Sequence, residues 1–257
     1  SNKKSTAYEP DGDDMNRGMI SFVLGAALVC GAPAQAQDAK YPSKPIRMIV
    51  GYAPGGGSDI MGRLIAPQIA EALGQQVIVE NRAGQAQNIA AEFIVRQPAD
   101  GYTLFLSSAA LGVNATLYPK LNYDPVKDFI PVAVFASSAN LLLTHPSVPA
   151  KSVKEFIAVV KKNPGKMNYS SSGSGSTQHL SGEMLKLFIK GDFTHIPYKG
   201  TGPSLTALAS GEVEFSFSNI PAAQPLINRF RVLGITSEKR STLMPEVPTM
   251  IEGGLPG

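Results

Sequence analysis

An α/β fold built on parallel sheet is predicted by three observations. Short apolar runs of strand length recur, each breaks into a small polar or glycine-rich loop, and each loop leads into a segment with apolar residues at helical spacing. In this chain of 257 residues the first such unit is the clearest. Ile46, Met48, Ile49 and Val50 form a run rich in β-branched residues, as in a strand buried on both faces. Ala53-Pro54-Gly55-Gly56-Gly57 cannot continue it. Ser58 or Asp59 then supplies a helix N-cap, and Ile60, Leu64, Ile65 and Ile69 recur up to Leu73, with Gly74 as the stop. A glycine turn before a helix N-terminus lets a ligand approach backbone N–H groups closely, and the helix dipole favours an anion there.

The unit repeats along the chain. Residues 76–80 read as a second strand, followed by the polar loop 81–88 and a helix starting near Ile89. Residues 102–106 read as a third, ending in Ser107-Ser108-Ala109-Ala110. Three successive strands of this kind imply right-handed crossovers and a ligand crevice outside the strands' carboxyl ends. Residues 117–127 are irregular; residues 129–136 and 140–145 are extended runs, and the crossing into a second domain lies between them. Ser152 caps an amphipathic helix carrying Val153, Phe156, Ile157 and Val160, ended by Asn163-Pro164-Gly165. A low-complexity loop, residues 170–179, precedes Leu180, Met184, Leu185 and Phe188 at helical spacing and mirrors the first glycine turn. A strand at 194–197 enters the loop Tyr198-Lys199-Gly200, and Pro203 and Ser204 start a helix. Residues 213–217 form another strand closed by Ser218-Asn219, and residues 231–236 read as a strand returning to the first domain.

Composition narrows the function classes. At 43% hydrophobic the chain buries a sizeable core and is long enough for two domains. Residues 1–14 are polar, a cloning remnant or an over-extended start, because Met15-Asn16-Arg17 opens a bacterial-style export signal. Its apolar stretch is 20–30 and its cleavage site Ala34-Gln35-Ala36, so the mature chain is expected to begin near Gln37. That stretch is well short of the roughly 20 residues that span a bilayer. Cys30 is the only cysteine and lies inside the segment expected to be removed, which leaves no disulfide framework and no thiolate metal site. Removing residues 1–36 takes away Lys3, Lys4 and Arg17 against Glu9, Asp11, Asp13 and Asp14, leaving 20 basic and 16 acidic side chains. So small an excess, without a Lys/Arg run, gives no case for nucleic acid.

The glycine turn fails the dinucleotide template, since Ile60 occupies the third glycine position, and it lacks the Gly-Lys-Ser/Thr ending of a P-loop. The three histidines, His145, His179 and His195, sit in separate elements without metal-ligand spacing. A serine hydrolase would use Ser176 with His179, but no Gly-x-Ser-x-Gly elbow follows a strand. What remains is a set of neutral loops at strand ends. The candidate ligand-binding residues are Gly55, Gly56, Gly57, Ser58 and Asp59; Gln87 and Asn88; Ser107, Ser108 and Ala109; Ser172, Gly173, Ser174, Ser176, Thr177 and His179; Tyr198, Lys199 and Gly200; and Asn219. Hydroxyls, amides and helix N-termini bind carboxylates through charge-assisted hydrogen bonds without a buried arginine. Such loops make a binding site rather than a catalytic one, with no metal and no cofactor.

Tyr41-Pro42-Ser43-Lys44-Pro45-Ile46-Arg47, Pro54-Gly55-Gly56-Gly57-Ser58-Asp59, Val79-Glu80-Asn81-Arg82-Ala83-Gly84, Asp100-Gly101-Tyr102-Thr103-Leu104, Pro197-Tyr198-Lys199-Gly200 and Thr236-Ser237-Glu238-Lys239-Arg240 together resemble the extracytoplasmic solute receptors of tripartite tricarboxylate transporters, the Bug or TctC family. The resemblance spans residues 41–257. It implies an α/β, two-lobed periplasmic binding protein of the type II, Venus-flytrap form, each lobe a mostly parallel sheet flanked by helices. On that plan residues 1–36 are leader, 37–136 the first part of lobe 1, 137–231 lobe 2 and 232–257 a return segment of lobe 1. It also implies a monomeric periplasmic receptor that captures a small carboxylate and hands it to a membrane permease of one large and one small subunit. The alternatives are a periplasmic serine hydrolase and a ligand-sensing partner of a membrane signalling protein. Three departures stand out. Asn228-Arg229-Phe230-Arg231 is shorter than the usual helix-to-strand link. Gln85-Ala86-Gln87 occupies a place where members usually have a glycine-rich run, and the chain stops at Gly257 where related proteins continue, so part of lobe 1 is expected to be missing.

Overall fold

The structure, a computed structural model, describes residues 40–256, so the readings on the leader and on Cys30 lie outside the described residues. Two sheets organise residues 42–256. The first is three-stranded, ordered β2-β1-β3, from β1 (Ile46–Val50), β2 (Val77–Asn81) and β3 (Thr103–Leu106), all parallel. The second is five-stranded, ordered β6-β5-β7-β4-β8, from β4 (Asn140–Thr144), β5 (Asn168–Ser171), β6 (Thr194–Pro197), β7 (Phe215–Asn219) and β8 (Arg231–Ile235). Its β6, β5 and β7 run parallel, while β4 is antiparallel to both β7 and β8.

Helices follow the strands: α1 (Gly57–Leu73), α2 (Asn88–Ile94) and α3 (Ala110–Leu117) in the first lobe, α4 (Val153–Lys162), α5 (Thr177–Ile189), α6 (Thr201–Ser210) and the single-turn α7 (Ile220–Ala223) in the second. α1 ends as expected, with Gly74 left-handed at φ 67°. It starts earlier than expected, at Gly57 with Gly56 as N-cap, so neither Ser58 nor Asp59 caps it. α4 is capped as read: Ser152 Oγ accepts from Glu155 N at 3.2 Å. Ser170 and Ser171, expected in a loop, complete β5 instead, because both pair with neighbouring strands.

Leu141 and Leu143 of β4 point into one apolar cluster with Leu205, Leu208 and Ile235. Leu142 points into the other, with Phe156, Tyr169, Phe215 and Leu233, as the two-residue period of a strand buried on both faces requires. Residues 231–236 do not return to the first sheet. β8 instead takes the open edge of β4, and Val247, Met250 and Leu255 follow it into the two clusters of the second lobe, where burying these side chains decides the placement. Residues 129–136 join neither sheet, and Ile130, Val132 and Val134 are exposed.

Both parallel sets deliver their carboxyl ends to loops, and these loops of the two lobes face each other. The framework behind them depends on the aromatic centre of the second lobe. Phe156 is fully buried and meets Phe215 edge-on, ring centroids 5.0 Å apart. Phe156→Ala is expected to cost roughly 3–5 kcal/mol, read as a lower denaturant midpoint at unchanged slope; a loss below about 1 kcal/mol would show that this core is not what holds the second lobe.

Candidate functional site between the lobes

The seam between the lobes is built from two helix N-termini that carry bare glycine caps. α1 begins after Gly56 and α6 after Gly200, and neither has a side-chain cap. The first N–H groups of a helix have no intrahelical partner, and the aligned peptide dipoles leave partial positive charge there. The two ends abut. A Cβ on Gly56 would lie 3.5 Å from Thr201 Oγ1, and one on Gly200 would lie 2.8 Å from both the nitrogen and the Cβ of Ala53. Ala53 N donates to Lys199 O at 3.3 Å, a hydrogen bond from one lobe to the other. Gly57 is pressed against the Asn219 carboxamide, leaving no room for a side chain. Asn219 cannot swing aside freely, because its Oδ1 accepts from Ala222 N at 3.1 Å and so caps α7.

Further along the seam the loop after β5 meets α3. Gly173 lies against Ala86, Gly175 against Asn114 and Leu117, and Tyr118 OH donates to Ser174 O at 3.1 Å. Behind this line the polar side chains are neutral and mutually bonded. Gln178 Nε2 donates to Thr201 Oγ1 at 3.2 Å, and Ser172 Oγ donates to Gln178 Oε1 at 2.7 Å. Gln87 is fully buried; its Nε2 donates to Ser107 Oγ at 3.3 Å and to Ser108 O at 3.2 Å, and its Oε1 accepts from Ser108 N at 3.1 Å. Tyr52 OH lies 3.0 Å from Ser108 Oγ, and burial pushes its phenol up to about 12, so it is a neutral hydrogen-bonding group at physiological pH.

The sequence-predicted residues divide accordingly. Gly56, Gly57, Gly200 and Asn219 come together around the two helix ends, with Gly55 in the turn before α1 and Ser58 in its first turn; Gly173 lies against Ala86 and Ser174 O accepts from Tyr118 OH, while Ser172 turns back to Gln178. Others are occupied elsewhere. Asp59 is buried, accepts from Gly55 N at 3.0 Å and pairs with Arg63; these bonds hold its carboxylate below the usual range against the opposing effect of burial. It braces the glycine turn rather than offering an open acceptor. Asn88 Oδ1 accepts from Asn114 Nδ2 at 2.7 Å and from Tyr123 OH at 2.6 Å, inside the first lobe. Ser107, Thr177 and Lys199 are exposed, and the contribution of Lys199 to the seam is its carbonyl. Ala109 is the exposed N-cap of α3. Tyr198 OH donates to Glu212 Oε1 at 2.7 Å, in a groove that Pro54, Gly202, Pro203 and Glu212 line; burial and then the carboxylate push it up to about 12.

Ser176 and His179 do not form a nucleophile–base pair. Ser176 Oγ accepts from the backbone N–H of His179 at 3.2 Å as the N-cap of α5, and His179 Nδ1 accepts from Gly175 N at 3.1 Å. The hydrolase reading therefore loses the geometry it requires. Among the described residues no group of three His, Cys, Asp or Glu side chains is placed to hold a metal ion.

Asn114, Gln178 and Thr201 are not legible as seam residues. Thr201 directly follows Gly200, and Gln178 precedes His179, so position beside a glycine loop was the available signal for those two. Asn114 sits on α3, a helix that the sequence pattern does not announce.

A family model described as Tripartite tricarboxylate transporter family receptor matches residues 61–257. Protein BugT of Bordetella pertussis is 37% identical over 247 residues, 94% of this chain and 76% of its own length. Among solved structures, R. palustris Rpa4515 with adipate has a TM-score of 0.82 at 37% identity, over 84% of this chain and 74% of that one. MatC from Rhodopseudomonas palustris with bound malate has a TM-score of 0.77 at 34% identity, over 84% of this chain and 74% of that one.

The glycine contact at the helix ends is testable alone. Gly57→Ala favours the helix intrinsically by up to about 1 kcal/mol, yet its methyl group collides with the capped Asn219. We expect unchanged helical circular dichroism with a larger radius of gyration by X-ray scattering. An unaltered scattering profile would mean that the two helix ends do not need their close approach.

Proposed function

We propose, from the premise that the chain belongs to the tripartite tricarboxylate transporter receptor family, that it is a periplasmic receptor for a small carboxylate, held between its two lobes. The observation that carries this reading is the meeting of two glycine-capped helix N-termini, one from each lobe, at a seam whose side chains are neutral. Two positive dipole ends facing each other repel unless an anion lies between them, and their unpaired N–H groups suit carboxylate oxygens. An anion that bonds to both ends draws the lobes together, which is hinge closure by differential binding. A four- to six-carbon dicarboxylate is the first ligand class to test, since one relative is described with malate and another with adipate. The loaded receptor, a monomer, then delivers the acid to a membrane permease of one large and one small subunit. Binding and hand-off use no bond-making step, so the protein is a receptor and not an enzyme in this account.

A thermal-shift screen of mono-, di- and tricarboxylates, acidic amino acids and aromatic acids checks the claim. At least one acid is expected to stabilise the protein increasingly with concentration, by about 2.7 kcal/mol at one hundred times its dissociation constant. A flat response across all of them would sink the reading.

A further inference from the structure

This inference rests on the carboxylate-closure reading above and concerns its regulation. The loop tip Gly173-Ser174-Gly175 is the part of the second lobe that contacts Ala86, Asn114, Leu117 and Tyr118 of the first. Two imidazoles hold it from within its own lobe. Gly175 N donates to His179 Nδ1 at 3.1 Å. Gly173 N donates to Ser171 Oγ at 3.1 Å, and that hydroxyl lies 2.6 Å from His195 Nε2. The two rings, from α5 and β6, stack with centroids 4.2 Å apart, and Tyr169 of β5 stacks on His195 at 4.8 Å. His179 Nδ1 accepts an N–H and so carries no proton. A proton there would leave Gly175 N without its acceptor and set two donors against each other.

The surroundings favour the uncharged pair. Glu183, one turn along α5, is the carboxylate that faces the rings, and it is already bonded by Tyr169 OH at 2.8 Å. Lys186, further along α5, turns to the Phe193 carbonyl at 3.0 Å, and Tyr118 of α3 is bonded to Ser174. Burial lowers both imidazoles; His195 comes down to about 4, with His179 lowering it further and Glu183 opposing. The start of α5 also disfavours a cation.

We propose that His179, stacked on His195, is a pH-gated anchor for the loop tip, holding it against the first lobe while uncharged and releasing it, with the bound carboxylate, once its Nδ1 takes a proton. The sign follows from linkage. When the lobes part, the tip is no longer pressed on the first lobe, Gly175 N can leave His179 Nδ1, and the ring moves back towards the ordinary histidine value of about 6.5. The open form then binds protons more readily than the closed form, so closure is fully supported above that pH and lost as the pH falls below it.

The test is calorimetric titration of the full chain with adipate and with malate at pH 7.5, 6.0 and 5.0, for the unaltered protein and for His179→Gln. The glutamine amide oxygen offers an acceptor to Gly175 N in place of Nδ1 but takes no charge. Each unit by which closure lowers a histidine allows up to a tenfold effect, so affinity is expected to weaken about tenfold more in the unaltered protein than in the variant. Imidazole NMR titration of the unaltered protein supplies a second readout that does not depend on the variant folding: ligand should lower the midpoint of His179. Parallel weakening in both proteins, which ligand protonation alone would produce, overturns the proposal, as does a His179 midpoint that ligand leaves unchanged. Binding with either of those outcomes strikes this inference and spares the receptor reading. Absence of binding by both acids at pH 7.5 counts against the dicarboxylate reading and removes the basis of this inference with it.

Discussion

The structure depends on one constraint: two helix N-termini from different lobes must approach within van der Waals distance. Gly57 against Asn219, and Gly200 against Ala53, leave no space for a Cβ. Glycine at these places gives the approach but withholds the side-chain cap that Ser, Thr or Asp would supply to a helix start. The orphan N–H groups and dipole ends are therefore left facing each other, which is poor for an isolated fold and suited to a protein that closes on an anion.

The rest of the polar interior serves that constraint. Asp59 spends its charge on Gly55 N and Arg63, which fixes the glycine turn and keeps a negative side chain from competing with an incoming carboxylate. Gln87 clamps Ser107 and Ser108, and Gln178 ties Thr201 to Ser172. Neutral amides and hydroxyls position the helix ends without contributing net charge. Gln85, Ala86 and Gln87 all hold positive φ, a conformation that costs non-glycine residues roughly 1–2 kcal/mol each. Ala86 is buried with its carbonyl bonded by Asn114 Nδ2 at 2.9 Å, and the Gln87 amide makes several hydrogen bonds, so tertiary contacts offset that strain.

Much of this is legible in the sequence alone. β1 announced itself by four apolar residues in five, and α4 by its Ser152 cap and three-to-four spacing, because both signals are local. α3 was missed because Ala-Leu-Gly-Val-Asn-Ala-Thr-Leu shows little amphipathic contrast, and Asn114 was missed with it. The destination of β8 was misread because a strand's own residues do not name its partner; the open edge of β4 and the apolar residues that follow β8 decided it. Asp59 looked available because its partners, Arg63 one turn on and Gly55 one turn back, depend on where the helix starts. The loops that make up the seam were recognisable by composition, whereas the pairing of one loop with another across the lobes is a tertiary fact.

A crystal structure of the protein grown with malate or adipate should place carboxylate oxygens within hydrogen-bond distance of backbone N–H groups at the start of α1 and at the start of α6 together. A ligand bound to one lobe alone, or held by side-chain cations away from both helix ends, would contradict that placement.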